Sequence, residues 1–157
     1  GYKAAASLSA TANLEALRQA IHSRKAHPLT RLIHHSDKGS QYIYSPYIEL
    51  LETIGAQVSL CNTVYENAHS ERLNGIIKNE YLQHRCIKNL ADVDRHLAHD
   101  VKLYNQERPH MELNFMSPIE YEQALKSVAA DQRTKMRVFV DEQTIKRQKF
   151  ANQLVLF

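Results

Sequence analysis

The sequence predicts an α/β fold built on a parallel or mixed sheet, and three observations carry that prediction. Across residues 29–82, strand-like apolar runs alternate with helix-like amphipathic ones. The run Leu29 to His35 ends at Ser36-Asp37 and passes into the turn-forming Lys38-Gly39-Ser40. The run 56–61 sets Ala56, Val58 and Leu60 against Gln57, Ser59 and Cys61, which is the two-residue period of a strand.

The elements follow in order. Gly1 to Ala10 is small and mildly apolar and reads as the tail of a strand begun upstream. Thr11 to Ser23 is helical, with Thr11 as cap and Leu14, Leu17 and Ile21 on one face, and His27-Pro28 breaks the helix. The buried strand 29–35 comes next, centred on Leu32-Ile33. Ser45-Pro46 then opens a helix whose stripe is Tyr47, Ile48, Leu51 and Ile54, and Gly55 stops it. After the strand 56–61, a helix runs from Asn67 to about Leu82. Another runs from the cap Asn89 to Asn105, with Leu90, Val93, Leu97, Val101 and Tyr104 inward. Ser117-Pro118-Ile119-Glu120 is a capping box with proline at the first helical position, opening a helix to Val128. Beyond Ala130 the composition shifts: residues 137–140 read as a short strand, and Lys146, Arg147 and Lys149 precede an apolar end.

Composition bounds the function classes. A chain of 157 residues, 43% hydrophobic and 24% charged, is one domain, or one domain with an appendage. A net charge of +3 with nine histidines allows a nucleic-acid partner without requiring one. Cys61 and Cys86 form neither a CxxC pair nor a disulfide framework, which points to a reducing, intracellular setting. No run reaches membrane-span length and none reads as a signal peptide, so no membrane is expected. The absence of a methionine before Gly1 suggests a piece of something longer.

Asp37 after an apolar run and Glu71 on a helix are what a metal-dependent phosphoryl-transfer site needs. At about 100° per residue, Gly75 and Lys78 share the Glu71 face, while Leu73, Ile76, Ile77 and Tyr81 form the opposite, core-facing side. Carboxylate oxygens suit Mg²⁺ or Mn²⁺, and a lysine seven residues on suits a phosphate. Pattern alone favours the plainer reading, with Asp37 as a turn residue and Glu71 and Lys78 as surface charges. His34, His35 and the pair His96/His99, near Asp92 and Asp100, match no zinc spacing.

Four stretches together carry a resemblance: His35-Ser-Asp-Lys-Gly-Ser-Gln-Tyr42, Asn67-Ala-His-Ser-Glu-Arg72, Tyr104-Asn-Gln-Glu-Arg-Pro-His110 and Ser117-Pro118. In that order and spacing they resemble the integrase-type catalytic core of bacterial insertion-sequence transposases, a ribonuclease-H-like family related to retroviral integrases. The resemblance covers residues 1 to 125. It implies that Asp37 and Glu71, 34 positions apart, are the second and third acids of a DDE triad and hold metal. Two Mg²⁺ or Mn²⁺ ions are implied for the complete site. Lys78 is implied as a contact for transposon-end DNA. Asn67 and Arg72 flank the third acid and Lys38 adjoins the second, so these too become DNA-binding candidates. Gly39, Gln41 and Tyr42 would shape the turn, and Arg108 and His110 would be structural or DNA-facing.

The chain also departs from the family pattern. The first acid of the family lies on a strand upstream of the part that matches Gly1, and Glu15, the one acid before Asp37, falls within the first helix. The resemblance therefore implies a core at 1–128 lacking its first strands, with extra C-terminal helices and an extension at 129–157. Its metal site is expected to be incomplete and its sheet edge exposed.

The expected function is DNA transposition by phosphodiester hydrolysis and strand transfer, on double-stranded transposon ends and target, in an oligomer of identical chains in the bacterial cytoplasm. The chain alone is expected to be inactive or nearly so. The alternative is a non-catalytic remnant that binds DNA or the transposase. A ribonuclease-H-like nuclease acting on RNA fits Asp37 and Glu71 but not the 104–110 motif. The basic stretch 137–149 reads as a solvated linker more than a DNA contact.

Overall fold

The computed structural model describes residues 1–30, 32–61 and 67–133. These fall into two compact units, one running from Gly1 to Glu71 and the other beginning at Arg72. The expected strand at 137–140, the basic stretch and the apolar end lie outside the described residues.

The first unit opens with α1, Ala10–Ser23. Residues 1–9 form no strand, contrary to expectation. The Tyr2 amide instead donates to Gln19 Oε1 at 2.7 Å, which ties this segment to the helix. Ser9, not Thr11, is the N-cap residue. The two hydroxyls bond each other at 2.5 Å, so neither serves the first helical amides. Leu14 and Leu17 are buried, as their spacing predicts.

Strand β1 is Ile33–Ser36, shorter and later than the expected 29–35. The reason is a turn after His27-Pro28, in which the Leu32 amide donates to the Leu29 carbonyl at 2.9 Å and Leu32 stays 41% exposed. Helix α2, Ser45–Thr53, has Pro46 in its first turn and buries Tyr47, Ile48 and Leu51. Tyr44 is its N-cap residue, and Ser45 donates to Glu49 Oε1 at 2.9 Å. Gly55 ends the helix at φ +68°, a conformation that costs glycine nothing.

Strand β2, Gln57–Leu60, pairs in parallel with β1, in the register Ile33 to Gln57 through Ser36 to Leu60. Helix α2 is thus the crossover that a parallel pair needs. Among the described residues the sheet has two strands, so each keeps an edge without a strand neighbour. The alternation in β2 fails at its end: Ser59, Leu60 and Cys61 are all buried. Strands of parallel sheets are commonly covered on both faces, and the end of β2 behaves that way. The core gathers Leu14 and Leu17 of α1 with Tyr47 and Leu51 of α2, and Val58 packs against them.

Helix α3, Ala68–Ile76, spans the point where the units part. It continues into a π-helical turn, Ile77–Tyr81, and a 3₁₀ turn, Leu82–His84. The expected length is reached, but the expected burial is not. No α3 residue is buried, and Leu73 is 41% exposed. An apolar stripe is buried only where another element covers it. The π-helical turn, carrying the half-buried Ile77 and Tyr81, packs against α4.

Helix α4, Leu90–Glu107, is capped by Asn89, whose Oδ1 accepts from the Asp92 amide at 2.9 Å. Leu97 is buried, and Val93, Val101 and Tyr104 are half-buried. Leu90 is 45% exposed, because the first residue of the helix has no preceding turn to pack on. Helix α5, Pro118–Lys126, packs on α4 and carries both halves of the capping box. The Ser117 amide donates to Glu120 Oε2 at 2.7 Å, and the Glu120 amide donates to Ser117 Oγ at 3.4 Å. Between the two helices, Asn114 and Phe115 take φ of 54° and 61°, and the His110 carbonyl accepts from the Phe115 amide at 2.8 Å to close the loop.

Candidate active site

Asp37 leaves the carboxyl end of β1, where chemistry gathers in parallel sheets. Its Oδ1 accepts from the Gly39 amide at 2.9 Å, the local turn by which aspartate fixes its own backbone. A side chain at this position would displace the Asp37 and Gln41 side chains from where they lie. A Cβ on Gly39 would lie 2.8 Å from Asp37 Oδ1 and 2.5 Å from Gln41 Nε2. The Tyr42 amide closes the turn on the Gly39 carbonyl at 2.9 Å. Burial and then the Asp37 charge push the Tyr42 hydroxyl above its ordinary pKa. Gly39, Gln41 and Tyr42 therefore build the turn beside the acid, and Lys38 is exposed on it.

Behind this turn, His34 and His35 meet partners that the sequence did not pair with them. His34 Nε2 bonds the Tyr47 hydroxyl at 2.8 Å, and the Tyr42 and Tyr47 rings meet edge to face at 5.7 Å. Burial pushes the His34 imidazole below its ordinary pKa. On the neighbouring position, His35 Nδ1 lies 2.8 Å from Ser59 Oγ and His35 Nε2 lies 3.1 Å from Cys61 Sγ. The strand register would have revealed these pairs, but register is a property of two segments and not of either alone.

Glu71 is exposed in the first turn of α3 and makes no hydrogen bond or ion pair among the described residues. Asp37 and Glu71 belong to the same compact unit. Asn67, just before α3, has its Oδ1 buried without a hydrogen-bond partner among the described residues. Arg72 and Lys78 are exposed, the latter on the π-helical turn. They belong with Arg108 to the second unit. Glu15 sits exposed on α1, 4.0 Å from Lys3 Nζ, as a surface charge.

Arg108 ends α4 and forms a two-pronged pair with Glu80, its Nη2 donating to Oε1 at 3.1 Å and its Nη1 to Oε2. That pair fastens the π-helical turn to the end of α4. The His110 ring stands edge-on to Tyr104 at 5.1 Å. Burial, then Arg108 and Arg72, push its imidazole below the ordinary pKa. His99 bonds the Asp100 carboxylate at 3.2 Å and is a structural partner there.

Among the described residues, no group of three or more histidine, cysteine, aspartate or glutamate side chains is placed to hold a metal ion. What Asp37 and Glu71 offer is narrower. Among the described residues, Asp37 commits one oxygen to a turn amide and Glu71 commits neither of its own. Such hard, partly free oxygens fit an ion that takes one or two carboxylates and keeps its waters, as Mg²⁺ does. No described helix is long and apolar enough to cross a membrane.

Residues 59–118 match the integrase core domain family, a span that includes Glu71, Lys78, Arg108 and Ser117-Pro118 but not Asp37. The chain is 34% identical over 126 residues to the transposase for insertion sequence element IS629 of Shigella sonnei, covering 79% of this chain and 42% of that protein. It is 31% identical over 130 residues to a putative transposase for insertion sequence element IS986/IS6110 of Mycobacterium tuberculosis, covering 79% and 47% respectively. The transposase for insertion sequence element IS904 of Lactococcus lactis is 33% identical over 101 residues, covering 62% and 40%. The chain spans less than half the length of these relatives. With the motifs and the parallel strand pair, these matches make the chain similar to the integrase core domain family over residues 59–118 and to insertion-sequence transposases over 79% of its own length.

Proposed function

We propose that this chain carries the second and third acids of a DDE strand-transfer site and belongs to a ribonuclease-H-like core. The observation that carries the reading is the placement of Asp37. It sits at the carboxyl end of a parallel strand, with its turn fixed by the Gly39 amide and one oxygen left over. Asp37 and Glu71 would hold Mg²⁺ or Mn²⁺, which when bound activates the attacking oxygen and stabilises the leaving one. The substrate would be double-stranded DNA, cut at a transposon end and joined to a target. Lys78, Arg72, Lys38 and Asn67 would contact its backbone, adding affinity without sequence preference. Of the two roles open to Arg108, structural or DNA-facing, its pair with Glu80 supports the structural one, holding α4 to the π-helical turn. The acting species would be an oligomer of identical chains in the bacterial cytoplasm.

On this reading the described residues supply two acids of three, so the chain alone joins few strands or none. The test is strand joining with end-sequence duplex and Mn²⁺. Little product fits the proposal, whereas robust joining abolished by Asp37→Asn would show that the pair suffices. A second reading, a non-catalytic DNA- or transposase-binding module, shares with the first the lack of a three-ligand cluster among the described residues. It predicts salt-dependent DNA binding that neither metal nor Asp37→Asn alters.

A further inference from the structure

The geometry assigns His35 as a positioning residue for Asp37, clamped between Ser59 and Cys61 across the strand pair; this rests on the reading of Asp37 as a metal ligand. The register sets His35 opposite Ser59, and the last rung of the ladder is the Cys61 amide donating to the Ser36 carbonyl at 2.9 Å. Around that rung both imidazole nitrogens are engaged, Nδ1 with Ser59 Oγ at 2.8 Å and Nε2 with Cys61 Sγ at 3.1 Å. A neutral ring has one donor and one acceptor. Both of these bonds form at once if the Cys61 thiol donates to Nε2 while Nδ1–H donates to Ser59.

Ser59 is fully buried and Cys61 nearly so, so water cannot stand in when one bond is lost. Positions i and i+2 of a strand share a face, which puts the clamp on the backbone immediately before the acid. The Gly39 amide fixes the carboxylate from the other side. Asp37 is thus held between a side-chain clamp behind it and a turn ahead of it. Neither strand alone supplies the clamp, because His35 comes from β1 and its two partners from β2 and the residue after it.

The test is amide hydrogen exchange by NMR on the full chain, read at Gly39 and, as a control, at Leu51. Cys61→Ala or Ser59→Ala is expected to speed exchange at Gly39 about tenfold, with Leu51 unchanged, the scale of one hydrogen bond lost from a buried network. Cys61→Ser, whose hydroxyl can still donate, is expected to return Gly39 to within about twofold of the parent. Unchanged Gly39 exchange in folded Cys61→Ala and Ser59→Ala overturns the assignment. So does faster exchange at Gly39 and Leu51 alike, which is general loosening. If Cys61→Ala does not fold, Ser59→Ala decides by the same readout. Mn²⁺ titration of Asp37→Asn separates the two claims: unchanged Mn²⁺ binding there removes the metal reading, while Gly39 exchange still decides the clamp.

Discussion

Arg85 donates to both oxygens of Asp100, a carboxylate with no solvent exposure, from Nε to Oδ2 at 3.3 Å and from Nη2 to Oδ1. The pair joins the segment after the 3₁₀ turn to the middle of α4. Burial alone would raise the Asp100 pKa, but the Arg85 bond and then the His99 bond outweigh it and hold the carboxyl below its ordinary value. Asp100→Asn is expected to cost about 2 kcal/mol. Arg85→Met should cost more, since it leaves a buried charge uncompensated. Because the folded pKa is depressed, this stability is present above the unfolded value of about 3.9 and is lost as pH falls through the lower folded value. Urea unfolding of both variants at neutral pH gives the ranking, and acid titration of the parent gives the window.

Burial separates two leucines that the sequence treats alike. Leu51 is fully buried under α1, whereas Leu73 on α3 is 41% exposed. Leu51→Ala should cost roughly 3 kcal/mol and Leu73→Ala under about 0.5 kcal/mol, by the usual scales for core and surface truncation. Thermal unfolding of each, alongside the parent, measures the contrast.

His34 gives the first unit a pH dependence of definite sign. Burial holds its folded pKa below the unfolded value of about 6.5, so its contribution is complete above that pH and lost as pH falls toward the folded value. His110 shifts in the same direction in the second unit. The parent should therefore lose stability between neutrality and mild acid, and His34→Gln should flatten part of that slope. Urea midpoints across the range test it.

Lys78 is exposed and placed for a phosphate contact if the chain binds DNA as proposed. Lys78→Ala should weaken duplex binding about equally for unrelated sequences and lower the slope of log affinity against log salt by about 1. Fluorescence anisotropy at several salt concentrations measures both.

Local chemistry was the legible part of this chain. The capping box at Ser117 to Glu120, the Asn89 cap, the Gly55 stop and the strand after it are each written within a few residues, and each appears in the fold. What escaped depends on neighbours. The apolar stripe of α3 reads as core but is not buried, because periodicity states which side is apolar and not what covers it. Asp100, a surface-looking aspartate in an amphipathic helix, is buried because Arg85 comes to it from 15 residues away. For the candidate site, Asp37, Gly39 and Glu71 could be named from motif and spacing, while the His35, Ser59 and Cys61 clamp needed the pairing of two strands.

If Asp37 and Glu71 hold metal as proposed, Mn²⁺ binding reads it without any substrate. Isothermal titration of the folded chain should show Mn²⁺ binding that Asp37→Asn and Glu71→Gln each weaken by about tenfold or more, since affinity for such ions follows the count of charged ligands. Mn²⁺ affinity that is the same in the parent and in both variants would contradict the account.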